Sequence, residues 1–400
     1  MKRLMMMAVA AGMLLGCSPG NSFAASSFTG LGFLPVYTNS YASAVSGDGK
    51  VVVGWASPDK YPEYSYHSYN KPFRWTAEAG MVDLGRLPGG KFGKALAVSR
   101  DGLVVVGVCA TDPLNQTFQA FRWTIDGGMK DLGNLHERRA DCSATGVSDD
   151  GSVVVGKSKH YGCNEAFRWT AATGMVSLDN SAIKGAESSA TGVSADGSIV
   201  VGILGSERHQ RAKEAFRWTA AAGTQGLGRL PGEDFNSYAT AVSADGSMVV
   251  GGSGGVDRNK RTRNPTWASQ ACRWTAAKGM VELDYLPECR YETCPKAVSG
   301  NGSVVVGWCE WPSRAKDLTI ISWEKKAFIW DTVSGMCILQ SVLTNVYRLN
   351  LSGWKLIEAT GVSRDGNTIV GTGEHNGRTE AWIAHLDRPA GRSPSKEEKK

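Results

Sequence analysis

Hydrophobic residues of this chain occur in short runs separated by turn residues, not in helical stripes. One set of runs contains the turn Ser46–Gly49, the apolar run Val51–Gly54, the aromatic run Phe73–Thr76 and the run Met81–Gly85. Gly and Asp at the turns permit tight hairpins. Each such set therefore predicts four short antiparallel strands, which we designate a to d in chain order.

The turn serine marks a repeat of the whole set. It recurs about every fifty residues, at Ser46, Ser99, Ser148, Ser194, Ser243, Ser299 and Ser363. Copies at such a period are typical of repeat arrays and propellers, whose radially arranged sheets are buried on both faces. We expect an all-β fold over residues 28–387, a seven-bladed β-propeller of four-stranded blades with strand a innermost.

The last set lacks strand d, because no second half follows Ala381-Trp382-Ile383. The segment Phe28–Leu34 resembles strand d of the other sets. The N-terminal strand is therefore predicted to complete the last blade, with Gly30 opposite Ala381. Such closure of the ring removes exposed sheet edges.

Charge pairs suggest a register for the c–d hairpin. If Thr76 faces Met81, then Arg74 faces Asp83. The same register gives the pairs Arg122–Asp131, Arg273–Glu282 and Ile329–Ile338. Opposed pairs contribute roughly 0.2–1 kcal/mol each. The arginines are therefore predicted to be structural.

The N-terminus reads as a signal peptide, residues 1–24, because Lys2 and Arg3 precede an apolar run too short to span a bilayer. Two cleavage sites remain open. Cleavage before Cys17, in a lipobox-like context, would produce a lipidated Cys17, and cleavage after Ala24 would be the ordinary alternative. Either cleavage removes or lipidates Cys17, one of nine cysteines, and leaves eight that could form disulfides.

The charge is modest. Forty-four basic and 38 acidic residues give +6, and removal of Lys2 and Arg3 leaves +4. In an exported chain this argues against nucleic acid as a partner. We expect a monomer in the bacterial outer membrane, in the periplasm or at the cell surface, or alternatively a secreted protein. Membrane contact is expected only through a lipid anchor, and residues 388–400 are expected to be a disordered tail.

Repeats such as Ala190–Gly197 followed by Glu214–Trp218 resemble the HAF family of bacterial extracellular repeats, as does Leu351–Leu356. The resemblance covers about residues 28–386. It implies an exported β-propeller-like protein. It brings no reaction, cofactor or catalytic residue to this chain.

Binding is expected on the face that carries the b–c and d–a connections, because long variable loops on a rigid scaffold usually hold binding sites. The b–c connections 55–72, 252–270 and 308–326 are long. Aromatic anchors dominate many interfaces. The candidate ligand-binding residues are Trp55, Tyr61, Tyr64, Tyr66, Tyr69, Trp308 and Trp311. The alternative is that several of them only cover a blade edge.

Disulfides are expected between Cys142 and Cys163 and between Cys294 and Cys309, from their places at neighbouring strand ends. The six His show no metal-ligand spacing, so no metal site and no cofactor are expected. The recurring turn Asp residues are interpreted as structural.

These features favour a non-enzymatic binding or interaction propeller of the bacterial envelope, with an unknown protein or glycan bound on the long-loop face. One alternative is a glycan-active hydrolase or lyase, and another is a structural subunit of an envelope complex. A cleft with two carboxyl groups about 5–10 Å apart would favour the hydrolase. An exposed aromatic patch without such acids would favour binding.

Overall fold

The computed structural model describes residues 25–59, 69–112, 114, 117–136, 141–160, 162–178, 187–205, 213–231, 236–256, 267–284, 286, 289, 292–314 and 320–387. The regular secondary structure of this part of the chain is almost entirely β-strand. Its one helix is α1 (Leu339–Asn345), a short element that precedes the last three strands.

The strands follow one another in sets. They are β1 (Ser27–Gly30); β2 (Asn39–Val45), β3 (Val52–Ser57), β4 (Lys71–Thr76) and β5 (Gly80–Asp83); β6 (Gly93–Val98), β7 (Val104–Ala110), β8 (Phe118–Thr124) and β9 (Gly128–Asp131); β10 (Asp141–Val147), β11 (Val153–His160), β12 (Cys163–Thr170) and β13 (Gly174–Ser177). Next are β14 (Ser188–Val193), β15 (Ile199–Gly205), β16 (Lys213–Thr219) and β17 (Gly223–Gly226); β18 (Asn236–Val242), β19 (Met248–Val256), β20 (Trp267–Thr275) and β21 (Gly279–Glu282). The last are β22 (Thr293–Val298), β23 (Val304–Arg314), β24 (Ile320–Asp331) and β25 (Gly335–Ile338), then β26 (Trp354–Val362), β27 (Thr368–His375) and β28 (Arg378–His385).

Each complete set pairs antiparallel in chain order, as in the sheet β2-β3-β4-β5. The sets β14–β17 and β18–β21 are joined into one sheet by a single parallel bridge between Lys213 and Asn236. The prediction of an all-β chain built from four-stranded sheets is confirmed.

The N-terminal strand belongs to the last sheet, whose order is β1-β28-β27-β26. Its register differs by one residue from the prediction, because Gly30 lies opposite Trp382 and not opposite Ala381. Phe28 packs edge-on against Trp354, with ring centroids 5.1 Å apart, and stacks on Trp382 at 5.8 Å. The two ends of the chain thus share one sheet.

The predicted register of the c–d hairpin is wrong by one residue. Thr76 pairs with Gly80, so Arg74 faces Val82 and Phe73 faces Asp83. Gly80 takes φ +67°, a left-handed conformation that lets the second strand begin directly after a three-residue turn. The Thr76 hydroxyl also accepts the Ala79 N–H at 3.2 Å, which fixes this turn. The same shift applies in the other c–d hairpins.

Three arginines of strand c have structural partners, which differ from those predicted. The Arg74 Nε donates to the Gly102 carbonyl in the turn of the next sheet at 3.1 Å. Arg122 and Arg168 bond in the same way to Gly151 and Gly197. These bonds join neighbouring sheets and not the two strands of one hairpin.

Asp83 instead pairs with Lys71 at 2.5 Å and accepts the Gly85 N–H at 3.0 Å. In the last sheet the corresponding position is Gly30, and the carboxylate comes from strand c. Glu380 there accepts the Gly32 N–H at 3.0 Å. A carboxylate thus accepts the same backbone N–H in both sheets. Strand d supplies it in the sheet β2-β3-β4-β5, and strand c supplies it in the last sheet.

The cores lie between neighbouring sheets. The strand c phenylalanines, such as Phe73 and Phe121, are fully buried. Gly54 lies opposite Phe73 within one sheet, and a Cβ on Gly54 would collide with the Tyr41 carbonyl oxygen and lie 2.9 Å from the Phe73 Cζ. Glycine at this position of strand b therefore leaves room for the ring, which packs against Val370 and Ile383 of the neighbouring sheet.

The a–b turns form a cyclic series of backbone bonds. The N–H groups of Arg100, Asp149, Ala195, Ala244, Gly300 and Arg364 each donate to the next turn, and the Arg364 N–H donates at 3.0 Å to Gly47 of the first. The Asp48 N–H completes the series by donating to Arg100 at 3.2 Å. We call the side of the a–b and c–d turns the turn face, and the side of the b–c and d–a connections the loop face.

The predicted disulfides are not formed, and Cys289 is instead joined to Cys309, with Cα atoms 5.7 Å apart. Cys294 lies opposite Trp308, one residue out of register with Cys309, so its side chain points to the other side of the sheet. Cys142 and Cys163 lie on β10 and β12, which are separated by β11. Two strand spacings of about 4.8 Å exceed the reach of a disulfide. All three of these cysteines are free thiols.

Candidate functional site

The aspartates of the a–b turns on the turn face accept hydrogen bonds from their own turns. The Ser194 hydroxyl donates to Asp196 at 2.6 Å, and the same carboxylate accepts the Ser198 N–H at 3.0 Å. These bonds lower the pKa of Asp196 to about 2, with the serine hydroxyl as the main cause. A carboxylate held ionised by its own turn is suited to capping backbone and not to proton transfer.

The loop face contains a cavity of about 860 Å³, which we call the loop-face cavity. It lies where the long β23–β24 hairpin meets α1 and the last sheet. Its walls are Trp323–Lys326 of β24, Gln340, Ser341 and Thr344 of α1, Lys355–Ile357 of β26 and Glu374 of β27. This volume is within the range of about 300–1,000 Å³ that is common for small-ligand sites.

The side chain of Gln340 fixes one wall of this cavity. Its Nε2 donates to the Trp354 carbonyl at 2.9 Å, and its Oε1 accepts the Leu356 N–H at 3.1 Å. The amide thereby makes the backbone hydrogen bonds that a neighbouring strand would otherwise make with the start of β26. Leu339 and Leu343 of α1 are buried in the core below. The helix and β26 therefore form one rigid wall.

An indole and several charges line the interior. Trp323 is 41% exposed, an unusual state for so large an apolar side chain. Lys355 and Glu374 form a 3.7 Å ion pair on the opposite wall. The Lys325 ammonium lies 3.8 Å from the centroid of the Trp308 ring, a cation–π contact that holds it in place. The cavity thus offers stacking, cationic and anionic groups together.

Glu310 is paired across the β23–β24 hairpin with Lys325, a residue of the cavity wall, and has Glu292 as a further neighbour. The Glu310 N–H donates to the Glu292 carbonyl at 2.8 Å, so the two residues are neighbours on adjacent segments. Burial raises the pKa of Glu292, and the negative charge of Glu310 raises it further, against opposing effects of Lys325 and Lys296. Such a pair is one of the arrangements used for general acid–base chemistry.

The buried thiol and phenol nearby are not activated. The Tyr238 hydroxyl and the Ser269 hydroxyl are 3.0 Å apart. Burial raises the pKa of Tyr238 and also that of the Cys294 thiol. A thiol with a raised pKa is a poor nucleophile. These groups are therefore interpreted as packing residues.

The first long loop is described only at its two ends. Trp55 stacks on Tyr41 with centroids 3.8 Å apart, and the Lys94 ammonium lies 3.8 Å from the Trp55 centroid. Burial lowers the pKa of Lys94. Tyr69 has Lys91 at 5.8 Å from its ring. Three other candidates of this loop, Tyr61, Tyr64 and Tyr66, lie outside the described residues, as does the possible lipidation site Cys17.

The two tryptophan candidates of the β23–β24 hairpin have different outcomes. Trp308 is only 6% exposed and is covered by Lys325, a residue of the cavity wall. Trp311 is a β23 residue opposite Glu324, and nothing further is described of it. The site itself was missed by sequence reasoning, which did not consider Lys355 and Glu374 of the last sheet. The only sequence signal was the length of the 308–326 connection.

Two histidines of the described residues pair with carboxylates. His136 contacts Glu165 at 2.8 Å, and His375 contacts Glu380 at 2.7 Å. Within the described ranges, no group of three or more His, Cys, Asp or Glu residues is close enough to hold a metal ion. In the same part of the chain, no helix has the length and apolar character needed to cross a bilayer.

Among comparisons with known proteins, solved structures bear on the fold. No family profile matches the sequence, and no curated protein is similar to it. Among solved structures, oligogalacturonate lyase from Vibrio parahaemolyticus aligns over 90% of this chain and 97% of its own, with 12% identity and a TM-score of 0.55. A structure from a study of two prolyl endopeptidases aligns over 88% of this chain and 50% of its own, with 12% identity and a TM-score of 0.51.

TolB from Acinetobacter baumannii aligns less well, with 12% identity and a TM-score of 0.43 over 73% of this chain. This chain spans 64% of the TolB chain. At these identities the likeness of the lyase and endopeptidase structures concerns the fold alone, an all-β propeller type.

Proposed function

We propose that this chain is an exported, non-enzymatic β-propeller that binds a protein or glycan ligand in its loop-face cavity. The observation that carries the proposal is the cavity itself. Trp323 is exposed on one wall, and Lys355 and Glu374 line the other. A large pocket with an aromatic surface and a few polar groups is the usual form of a binding site.

The scaffold in this proposal is a ring of seven four-stranded blades closed by β1. The cyclic bonds between the a–b turns support it, because the bond from Arg364 returns to Gly47 of the first turn. The pairing of β1 with β28 supports it as well, since the last sheet has four strands only when the N-terminal strand is counted.

Export is proposed from residues 1–24. Cleavage before Cys17 would give an envelope lipoprotein, and cleavage after Ala24 would give a periplasmic or secreted protein. The resemblance to HAF repeats supports an extracellular or envelope setting. Mass spectrometry of the mature N-terminus distinguishes the two, because only the first yields a diacylated Cys17.

Binding is tested by glycan-array and pull-down experiments on the mature protein. The Trp323→Ala variant should lose the ligand while keeping its fold, because Trp323 is exposed and not part of the core. The competing hypothesis places the site on the first long loop. Replacement of Tyr61, Tyr64, Tyr66 and Tyr69 together by Ser tests it. Loss of binding in that variant with Trp323→Ala unaffected would refute the cavity as the site.

A glycan hydrolase or lyase is the second candidate, and the Glu292–Glu310 pair favours it. Burial and the nearby charge of Glu310 raise the pKa of Glu292, and a carboxyl with a raised pKa is suited to act as a general acid. Reducing-end assays on a panel of polysaccharides would reveal cleavage. Activity that is abolished by Glu292→Gln, with binding retained, would replace the binding proposal by the enzymatic one.

A further inference from the structure

We propose that the ligand of the loop-face cavity is a short acidic oligosaccharide, a chain of sugar rings carrying carboxylates. This inference rests on the proposed function, since it names the ligand class of the same site. Three chemical features of the cavity carry it, and each corresponds to a different part of such a ligand.

The first feature is the stacking surface. Trp323 is 41% exposed, and it lies on a wall of the cavity. A sugar ring presents an apolar C–H face that packs on an aromatic ring, and indole offers the largest such face among side chains. The indole therefore suits one ring of the oligosaccharide.

The second feature is the distribution of ammonium groups. Lys325 lies on one wall and Lys355 on the other. Lys325 is held over Trp308, and the pairing of Lys355 with Glu374 is long and solvent-exposed. Exposed ion pairs are weak, so Lys355 can exchange its partner for a ligand carboxylate. Cations on two walls suit charges spread along a ligand.

The third feature is the acid Glu374 in the same cavity. Its carboxylate would repel a densely charged phosphate ligand. It accepts hydrogen bonds from hydroxyl groups, and the exposed Ser341 adds a hydroxyl of its own. A ligand with many hydroxyls and dispersed carboxylates matches this lining better than a nucleotide does.

The test compares a uronic-acid trisaccharide, its methyl ester and a neutral trisaccharide by titration calorimetry and tryptophan fluorescence. The acid form should bind, and the ester should bind at least about tenfold more weakly, since loss of the carboxylates removes the charge-assisted bonds. Trp323→Ala should weaken binding of the acid form about tenfold. Lys355→Gln should weaken it about three- to tenfold, and its salt dependence should decrease. The control Lys91→Gln changes a loop-face lysine outside the cavity and should bind as wild type.

Equal binding of ester and acid would overturn the ligand class. The ligand class would also be overturned if no trisaccharide bound while another ligand, such as a nucleotide or an acidic peptide, bound and lost its affinity in Trp323→Ala. In that case the proposed function would still hold. A ligand unaffected by Trp323→Ala would refute the site and with it the proposed function.

A second inference comes from the turn face. We infer that Arg364 and Asp149 close the central channel at this end by pairing across it. Their guanidinium and carboxylate groups are in contact, with side chains 29% and 33% exposed. In the cyclic series of turn bonds, Ala195, Ala244 and Gly300 lie between them on one side and Gly47 and Arg100 on the other. The pair therefore spans the interior of the series.

The neighbouring turn leaves room for this side chain. A Cβ on Gly300 would collide with the Arg364 Cγ, so only glycine there lets the arginine bend over the adjacent turn. The same relation holds between Gly47 and Arg100, where a Cβ would lie 2.7 Å from the Arg100 Cγ. In the order of the bonded turns, the turn before each of the two arginines therefore has a glycine at this position. With the turn face closed, a ligand enters the channel only from the loop face.

A double-mutant cycle and two structures test this closure. Asp149→Asn and Arg364→Gln should each lower the melting temperature by about 1–2 °C, and the double variant should lose no more than one of them. Additive losses would show that the two side chains do not interact. Crystal structures should show solvent continuous through the turn face in the Asp149→Ala, Arg364→Ala double variant and interrupted in the wild type. A continuous column in the wild type would overturn the inference.

Discussion

Replacing Phe28 by Ala measures how much the N-terminal strand holds the fold together. Phe28 lies on β1, far in sequence from its partners Trp354 and Trp382, and its ring is half-buried between them. A fully buried Phe→Ala change costs about 3–5 kcal/mol, so half burial gives about 2 kcal/mol. The two aromatic pairs raise the expected loss in the free energy of unfolding to about 3 kcal/mol.

The measurement is urea unfolding followed by tryptophan fluorescence, with limited proteolysis of the N-terminus as a second readout. Thr29→Ala is the matched control, because Thr29 is exposed on the same strand and should change stability by about 0.5 kcal/mol or less. Faster cleavage near β1 is expected only in Phe28→Ala. If the two variants unfold at the same urea concentration, β1 does not contribute to the stability of the last sheet and the closure argument is refuted.

Three further outcomes are expected. Non-reducing peptide mapping should link Cys289 to Cys309, and Cys309→Ser should lower the free energy of unfolding by about 3 kcal/mol, as for other loops of similar length; a different linkage would contradict the fold near β23. Ser194→Ala should move the pKa of Asp196, followed by NMR, from about 2 toward the ordinary value of about 3.9. Since that pKa is lowered by folding, the stabilisation is present above about pH 4 and is lost as the pH falls through about 2; an unchanged titration would exclude the serine as its cause. Arg122→Ala should cost about 1–2 kcal/mol by removing its bond to the next sheet, whereas no effect would show that the bond is dispensable.

The strands could be predicted from the sequence because their pattern is local and repeated. Val-Val-Val-Gly runs need burial on both faces, and the Gly-containing turns define where each hairpin reverses. The link between Phe28 and the last sheet was also predictable, since one strand was missing there and one was left over at the start. These conclusions needed only the order of elements.

The register was not predictable from the charges. Arg74 and Asp83 suggested a pair, but backbone geometry decides register, and Gly80 in a left-handed conformation moves the second strand by one residue. The charges are explained by other partners, Gly102 and Lys71. A one-residue shift also changes which side of a strand a cysteine occupies, so the error in pairing Cys294 has a similar origin.

The loop-face cavity was beyond sequence reasoning because its walls come from separate elements. Trp323, Gln340, Lys355 and Glu374 are brought together only when α1 packs on the core and β26 is held by the Gln340 amide. Among the described residues, no other set contains a counterpart of the seven-residue helix α1, so the repeat pattern could not predict it. Loop length indicated the face, but not the residues.

The position of the first strand also bears on orientation at a membrane. The Ser26 hydroxyl accepts the Asp387 N–H at 2.9 Å, so the chain enters and leaves the fold at one point. β1 runs antiparallel to β28 and therefore starts at the turn face and ends toward the loop face. If Cys17 carries lipid, the nine residue steps from Cys17 to Ser26 reach at most about 30 Å. So short a tether would keep the bilayer beside the turn face, and the loop-face cavity would look outward into the surrounding solvent.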